Sequence, residues 1–325
     1  MNKVMVTGVA GLIGSHLAER LLEEGYEVHG TDIVDLGSTN NLLNIKNNSN
    51  FKYYQGDIRS KEDLEKFFQH DSDVIYHLAS VVGVNRYMED PLSLIDISVI
   101  GTKALIELCQ VNQVRMLFTS TSEVYGRNTE IPWNEDEDRV LGPTNVDRWC
   151  YSTAKALCEH MLFGVHHNNG WPMSIIRFFN VYGPRQNPIY VVSKSIYSAM
   201  KGLQPELYDG GKQTRCFTYI GDVVDGIILS ATKENVLGQV INLGNPIEKS
   251  MKEVMDIVIR ETSFELSYLN VETQNKYGKV YEDIPRRVPN VDKAKELLGW
   301  TPKTTVEEGI KRTVDWVKKN PWYLD

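Results

Sequence analysis

The sequence predicts an α/β chain: a doubly wound parallel sheet carrying a smaller α/β lobe. Three observations predict it. Short apolar runs alternate with amphipathic helical stretches through the first half. A glycine-rich turn joins the first apolar run to the first helix. Past Asn180 the elements shorten and turn signals crowd in, at Gly183-Pro184, Asn187-Pro188, Asp209-Gly210-Gly211 and Asn245-Pro246. The 325 residues have room for about two domains. An apolar content of 42% and a charged content of 24% exclude a disordered or collagen-like chain. The net charge of −8 excludes a broad basic face for nucleic acid.

Taken in order, the strands are Val4–Thr7, Glu27–Thr31, Phe51–Tyr54, Val74–Ala79, Val114–Thr119 and Met173–Phe179. The first helix is Ile13–Glu24, with Ile13, Leu17 and Leu21 recurring every four residues and Gly25 closing it. Strand–helix alternation of this kind calls for parallel strands covered on both faces. The chain is expected to cross back into the sheet through Phe217–Ala231 and Val240–Gly244. Residues 1–180, with about 217–246 crossing back, then form one domain, and 181–216 with 247–325 form the smaller lobe. Thr304-x-x-Glu307 reads as a capping box opening a last helix with Val306, Ile310, Val314 and Val317 on its apolar face. Cys109, Cys150, Cys158 and Cys216 show neither C-x-x-C nor zinc spacing to histidine, so buried reduced thiols and no metal are expected. No apolar run approaches the ~18 residues of a membrane span. The first strand starts near Lys3, where a secretory signal would lie, so a cytoplasmic location is expected.

The glycine turn carries the first chemistry. Val4-Met5-Val6-Thr7 runs into Gly8-x-x-Gly11-x-x-Gly14 and then a helix, which brings backbone N–H groups to a pyrophosphate. Glycine is required where a Cβ would block the approach. Asp32, at the end of the second strand, suits the adenosine ribose hydroxyls and repels a 2′-phosphate, favouring NAD over NADP. Asp57, after the third strand, is placed to contact the adenine. The expected domain is therefore of Rossmann type.

Tyr151-x-x-x-Lys155 puts two side chains one helical turn apart on one face. A phenol of pKa ~10 is a poor base at neutral pH. A lysine ammonium and a nicotinamide cation nearby would favour the phenolate, which can take a proton from a hydroxyl as the cofactor takes the hydride. The preceding strand ends in Thr119-Ser120-Thr121-Ser122-Glu123, at the sheet edge where such folds bind ligands. Thr121 is placed to hold the reacting hydroxyl. Glu123 is an acid or base candidate, and partial burial is expected to raise its pKa.

At these residues the chain resembles the extended short-chain dehydrogenase/reductases acting on nucleotide sugars. The motifs are Gly8/Gly11/Gly14, His77-Leu78-Ala79-Ser80, Ser120-Thr121-Ser122-Glu123, Tyr151/Lys155 and Arg177-Phe178-Phe179-Asn180-Val181-Tyr182-Gly183-Pro184-Arg185. Within that family it most resembles the UDP-glucuronate decarboxylases and UDP-apiose/xylose synthases. The stretches that carry this are Tyr87-Met88-x-x-Pro91, Gly142-Pro143 followed by Arg148-Trp149-x-Tyr151, Asn242-Leu243-Gly244-Asn245-Pro246, and Tyr277-Gly278-Lys279 leading to Asp283-x-x-x-Arg287-x-Pro289. The resemblance implies Tyr151, Lys155, Thr121, Ser122, Glu123 and Arg287 as catalytic. It implies NAD held by Gly8, Gly11, Leu12, Ile13, Gly14, Asp32, Asp57, Ile58, Leu78, Ala79, Ser80, Tyr151 and Lys155. A UDP-linked sugar would be held by Tyr87, Asn180, Arg185, Tyr190, Arg215, Tyr281 and Arg287. It also implies a homodimer joined through the helices Leu92–Asn112 and Ser152–Phe163. Two positions depart from the pattern: Tyr190 stands where arginine is usual, and Ser98 where asparagine is usual.

Oxidation at carbon 4 of a hexuronic acid makes its carbon-6 carboxylate a β-keto acid, which loses carbon dioxide readily. Arg287 offers a fixed cation for the enolate, and Glu123 can manage the proton. The expected activity is UDP-glucuronate decarboxylation to UDP-xylose or its 4-keto form. The alternatives are a nucleotide-sugar 4-epimerase, a 4,6-dehydratase, and a non-catalytic NAD-binding sensor.

Overall fold

The computed structural model describes residues 2–69, 71–83, 89–265, 267–272 and 284–325. Strands β1 (Lys3–Thr7), β2 (Glu27–Asp32), β3 (Phe51–Gln55), β4 (Val74–His77), β5 (Arg115–Thr121) and β6 (Met173–Phe178) build the sheet, and a later strand, Val240–Leu243, joins it beside β6. The spatial order across the seven strands is Val240–Leu243, β6, β5, β4, β1, β2, β3, all parallel. Period-two alternation divides the core into two layers. Val4 and Val6 face the layer of Leu17, Leu21 and Ile227, while Met5 faces Ile106, Leu162 and Ile175. The fold is thus a Rossmann-type doubly wound sheet. Among the described residues no helix is long and apolar enough to cross a membrane.

Helices α1 (Leu12–Glu23) and α2 (Lys61–Phe67) precede an interrupted helix. In place of one helix over 92–112, α3 (Pro91–Ile95) passes through a π-helical segment, Asp96–Gly101, into α4 (Thr102–Val111). The wider turn lets Gly101 lie against Ile58, whose Cδ1 would be 2.5 Å from a Cβ there. Helix α5 (Arg148–Asn169) is longer than the apolar period suggests and closes at Gly170 in the left-handed region.

Two strand ends also differ from the sequence reading. β4 stops at His77 because Thr7 Oγ1 accepts the Leu78 and Ala79 amides, each at 3.1 Å, which turns them toward the glycine loop. β5 runs on to Thr121 because it stays paired with β6 as far as Phe178.

The lobe packs α6 (Val191–Met200) against α8 (Met251–Thr262) and α10 (Val306–Lys319), around Ile196, Val254, Val258, Ile310 and Val314. Between them in sequence, α7 (Ile220–Thr232) covers the sheet and α9 (Asp292–Leu298) follows α8. The predicted cap of α10 is displaced by one residue: Thr305 Oγ1 accepts the Glu308 amide at 3.2 Å. Thr304 is not the cap because its hydroxyl and amide bind the Asp222 carboxylate at 3.1 and 2.9 Å, and Glu307 pairs with Lys249. All four cysteines are reduced; Cys150 is only half-buried, unlike the other three.

Candidate active site

A cavity of about 1500 Å³ opens at the carboxyl end of the sheet, between it and the lobe. Every predicted site residue within the described part of the chain lines it, with the exception of Ser122. Thr121 Oγ1 accepts the Glu123 amide at 3.2 Å and starts a 3₁₀ turn, Ser122–Tyr125, in which Ser122 is buried away from the cavity. The catalytic place expected for Ser122 therefore does not follow from this geometry. Tyr87 and Tyr281 lie outside the described residues.

One arm of the cavity is lined by the glycine turn and Asp32. Gly8 has φ +70°, and a Cβ on it would sit 2.7 Å from the Ala79 amide nitrogen. A Cβ on Gly14 would sit 2.2 Å from Gly8 O. Gly11 caps α1 without a side-chain hydrogen bond, so the first-turn amides keep their capacity for a phosphate. Asp32 Oδ2 accepts the Ala10 amide at 3.0 Å, which ties the acid to the glycine loop. Burial raises the Asp32 pKa against the pull of these amides. Asp57 lines the cavity but binds Arg59 at 2.6 Å.

His77 supports this arm from beneath, a role the sequence did not announce. Because Thr7 Oγ1 already accepts two amides, its hydrogen goes to His77 Nδ1 at 2.8 Å. His77 Nε2–H is then left to donate to Thr102 Oγ1 at 3.0 Å. Burial and the Lys155 charge push His77 down to about 3, so it stays neutral.

The other arm is lined by Thr121, Glu123, Tyr151 and Lys155. Tyr151 is buried and hydrogen-bonded by the Ser80 and Thr121 hydroxyls. Lys155 Nζ donates to Thr119 O at 2.9 Å and lies 4.7 Å from the Phe118 ring centroid. The sequence reading had Lys155 and a nicotinamide cation together favouring the phenolate. Among the chain's own groups, burial, followed by the Glu123 charge, pushes the phenol well above its ordinary value, and burial lowers Lys155 to about 8.

Glu123 departs from the charge behaviour expected of it. Burial alone would raise its pKa, as expected, but the guanidiniums of Arg287 and Arg148 outweigh burial and hold the carboxyl below the usual range. Arg287 donates directly to Glu123 Oε1, and Arg148 approaches Oε2 at 3.5 Å. Arg148, only 4% exposed, is a site residue that sequence reasoning passed over. The available signal was its position one turn before Tyr151, in Arg148-Trp149-x-Tyr151.

The residues expected to hold a sugar also line the cavity. Asn180 takes φ +33°, and Tyr190 stands at the start of α6. Arg215 reaches Thr214 O at 2.7 Å and Pro285 O at 3.2 Å. Arg185 is ion-paired with Glu19 of α1.

Comparisons with known proteins agree with this geometry. The family model described as GDP-mannose 4,6 dehydratase matches residues 5–313. A UDP-N-acetyl-alpha-D-glucosaminuronate decarboxylase of Bacillus cytotoxicus is 36% identical over 322 residues, covering 98% of this chain and 98% of that one. The solved UDP-glucuronic acid 4-epimerase of Bacillus cereus, in complex with UDP-glucuronic acid and NAD, aligns with a TM-score of 0.86 at 29% identity, over 98% of this chain and 99% of that one. The dTDP-glucose 4,6-dehydratase of Bacillus anthracis, in complex with NAD, aligns with a TM-score of 0.86 at 26% identity, over 99% and 98%.

Proposed function

Since the chain belongs to the GDP-mannose 4,6-dehydratase family of extended short-chain dehydrogenase/reductases, we propose that it uses NAD to decarboxylate a UDP-linked hexuronic acid by way of oxidation at carbon 4. The observation that carries the reading is the convergence of Arg287 and Arg148 on Glu123, in the cavity that Thr121 and Tyr151 also line. Guanidiniums gathered in a buried pocket form a surface for carboxylates. A hexuronic acid brings one at carbon 6, and a neutral hexose does not.

Gly8, Gly11, Gly14 and Asp32 would hold the NAD, whose nicotinamide supplies a hydride acceptor and a positive charge. With the cofactor bound, that charge would offset the cost of ionising the buried Tyr151 phenol. Tyr151 Oη takes the proton of the carbon-4 hydroxyl, which the Thr121 hydroxyl orients. With a ketone at carbon 4, the bond between carbons 5 and 6 breaks, carbon dioxide leaves, and the electron pair enters the enolate. Arg287 stabilises that enolate. Glu123, held ionised, keeps Arg287 in place. The proton that carbon 5 needs comes from a water molecule by way of the Glu123 carboxylate, leaving hydroxide to be neutralised by the proton Tyr151 took from the carbon-4 hydroxyl.

The test is incubation with NAD and either UDP-glucuronate or UDP-N-acetylglucosaminuronate, assaying carbon dioxide and the UDP-pentose or its 4-keto form. Gas from one of them supports the reading. Interconversion of carbon-4 epimers without gas would favour the second reading, a 4-epimerase, for which the likeness to the UDP-glucuronic acid 4-epimerase speaks.

Three further statements belong to this reading. The molecule is a homodimer, for which Leu92 (73% exposed) on α3, Ile100 on the π-helical segment and Leu157 on α5 provide apolar surface. Its free cysteines fit a cytoplasmic location. Residues 1–180 with 217–246 bind the cofactor, and 181–216 with 247–325 bind the nucleotide sugar.

A further inference from the structure

Beneath the catalytic pair lies a buried ionic cluster that the mechanism above does not use. Tyr151, Lys155 and Glu159 follow one another at four-residue intervals and share one face of α5. Each meets a different residue of the end of β5. Tyr151 meets the Thr121 hydroxyl, Lys155 holds Thr119 O, and Glu159 Oε1 accepts Ser120 Oγ at 2.5 Å. Arg177 of β6 fixes Glu159 in turn, with Nε to Oε1 at 3.0 Å and a terminal nitrogen to Oε2 at 2.7 Å. The other terminal nitrogen donates to Tyr125 Oη at 2.9 Å and Glu135 O at 2.7 Å, and Tyr125 Oη donates to Asn242 Oδ1 at 2.8 Å. The Glu159 and Arg177 side chains are only 6% and 7% exposed.

We infer that Glu159 is a positioning residue for the oxidation at carbon 4: clamped by Arg177, it draws Ser120 onto α5 and so sets the distance between the Thr121 hydroxyl and Tyr151. Thr121 follows Ser120 directly, so fixing the Ser120 side chain and the Thr119 carbonyl leaves the Thr121 backbone little freedom relative to the helix. A proton transfer is sensitive to such placement, and a misplacement of about 1 Å can cost about a hundredfold in rate. An ion pair needed only for folding would require neither the short contact to Ser120 nor the choice of that strand position.

The inference rests on the proposed chemistry only as far as carbon-4 oxidation, which decarboxylase and epimerase share. It is measured with whichever UDP-sugar the wild type oxidises, so loss of the decarboxylase reading leaves it standing. Ser120→Ala removes the strand contact and leaves the ion pair whole. Glu159→Asp keeps the charge for Arg177 but falls one methylene short of Ser120. Each variant is expected to lower kcat about tenfold, read by single-turnover NADH absorbance, with KM for the sugar and Kd for NAD within about twofold of wild type. Ser120→Thr, which keeps a hydroxyl, should restore most of kcat. The double variant Ser120→Ala/Glu159→Asp should be no slower than the slower single variant, because one contact cannot be lost twice. Wild-type kcat in Ser120→Ala, or rate losses that multiply in the double variant, would overturn the inference. So would a kcat loss in Ser120→Ala that Ser120→Thr leaves uncorrected.

Discussion

Replacing Arg287 by methionine tests the electrostatics of the site without reference to any substrate. The Arg287 and Glu123 side chains are 9% and 15% exposed. Removing one partner of a buried pair leaves the other charge uncompensated, at a cost of about 3–5 kcal/mol. Arg148 still faces Glu123 Oε2 from 3.5 Å, so the lower end, about 3 kcal/mol, is expected at pH 8. The pH dependence carries the proof. In the wild type the folded-state pKa of Glu123 lies below its unfolded value, so the pair stabilises above the ordinary carboxylate range and fades as pH falls through the lowered value. In the variant, burial acts with less opposition and the folded-state pKa rises. The penalty then stands at pH 8 and shrinks on acidification, because the folded protein binds the proton more tightly than the unfolded chain does. The slope can reach about 1.4 kcal/mol per pH unit for the one group. Urea unfolding followed by tryptophan fluorescence at pH 8 and pH 5 measures both penalties. The double variant Glu123→Gln/Arg287→Met, which removes both charges, should recover much of the loss. A penalty equal at the two pH values would refute the reasoning.

Other outcomes are expected from the same geometry. Tyr151→Phe should abolish turnover while Kd for NAD, measured calorimetrically, stays within about threefold, since the lost hydroxyl serves the proton and not the cradle. Gly14→Ala should lose NAD binding altogether, because its Cβ would lie 2.2 Å from a backbone oxygen that no rotamer change can move. Asp32→Ala should narrow the preference for NAD over NADP in the same titration; an unchanged ratio would take the ribose away from Asp32. The proposed homodimer predicts that the wild type sediments as a dimer and that Leu157→Glu, on the exposed face of α5, shifts it to monomer without unfolding the chain.

The geometry of the glycine turn was legible in the sequence because its requirements are local. Gly8, Gly14 and Asp32 are demanded by one turn of backbone and the strand beside it, all within 25 residues of each other. The charge state of Glu123 was not legible, because the guanidinium that sets it is 164 residues away in the chain. Burial could be guessed from the strand, but the cation opposing it could not. The cap of α10 failed for a related reason: Thr304 and Thr305 are chemically equivalent in sequence, and only Asp222, 82 residues earlier, takes the first of them out of play. The π-helical segment was hidden because an apolar face continues through Leu94, Ile97 and Leu105 whether or not one turn is widened.

The strand Val240–Leu243 reaches the edge of the sheet only after the polypeptide has left to begin the lobe, and it leaves again afterwards to finish it. Trp300 then donates its indole N–H to Asp222 O at 2.8 Å, a stitch from the tail back onto α7. The two halves are consequently basted together at several points instead of being joined by a single hinge. A fragment cut after Asn180 would lack its border strand and expose β6. The lobe is therefore no cassette: lifting it out would mean cutting the chain on both sides of Val240–Leu243.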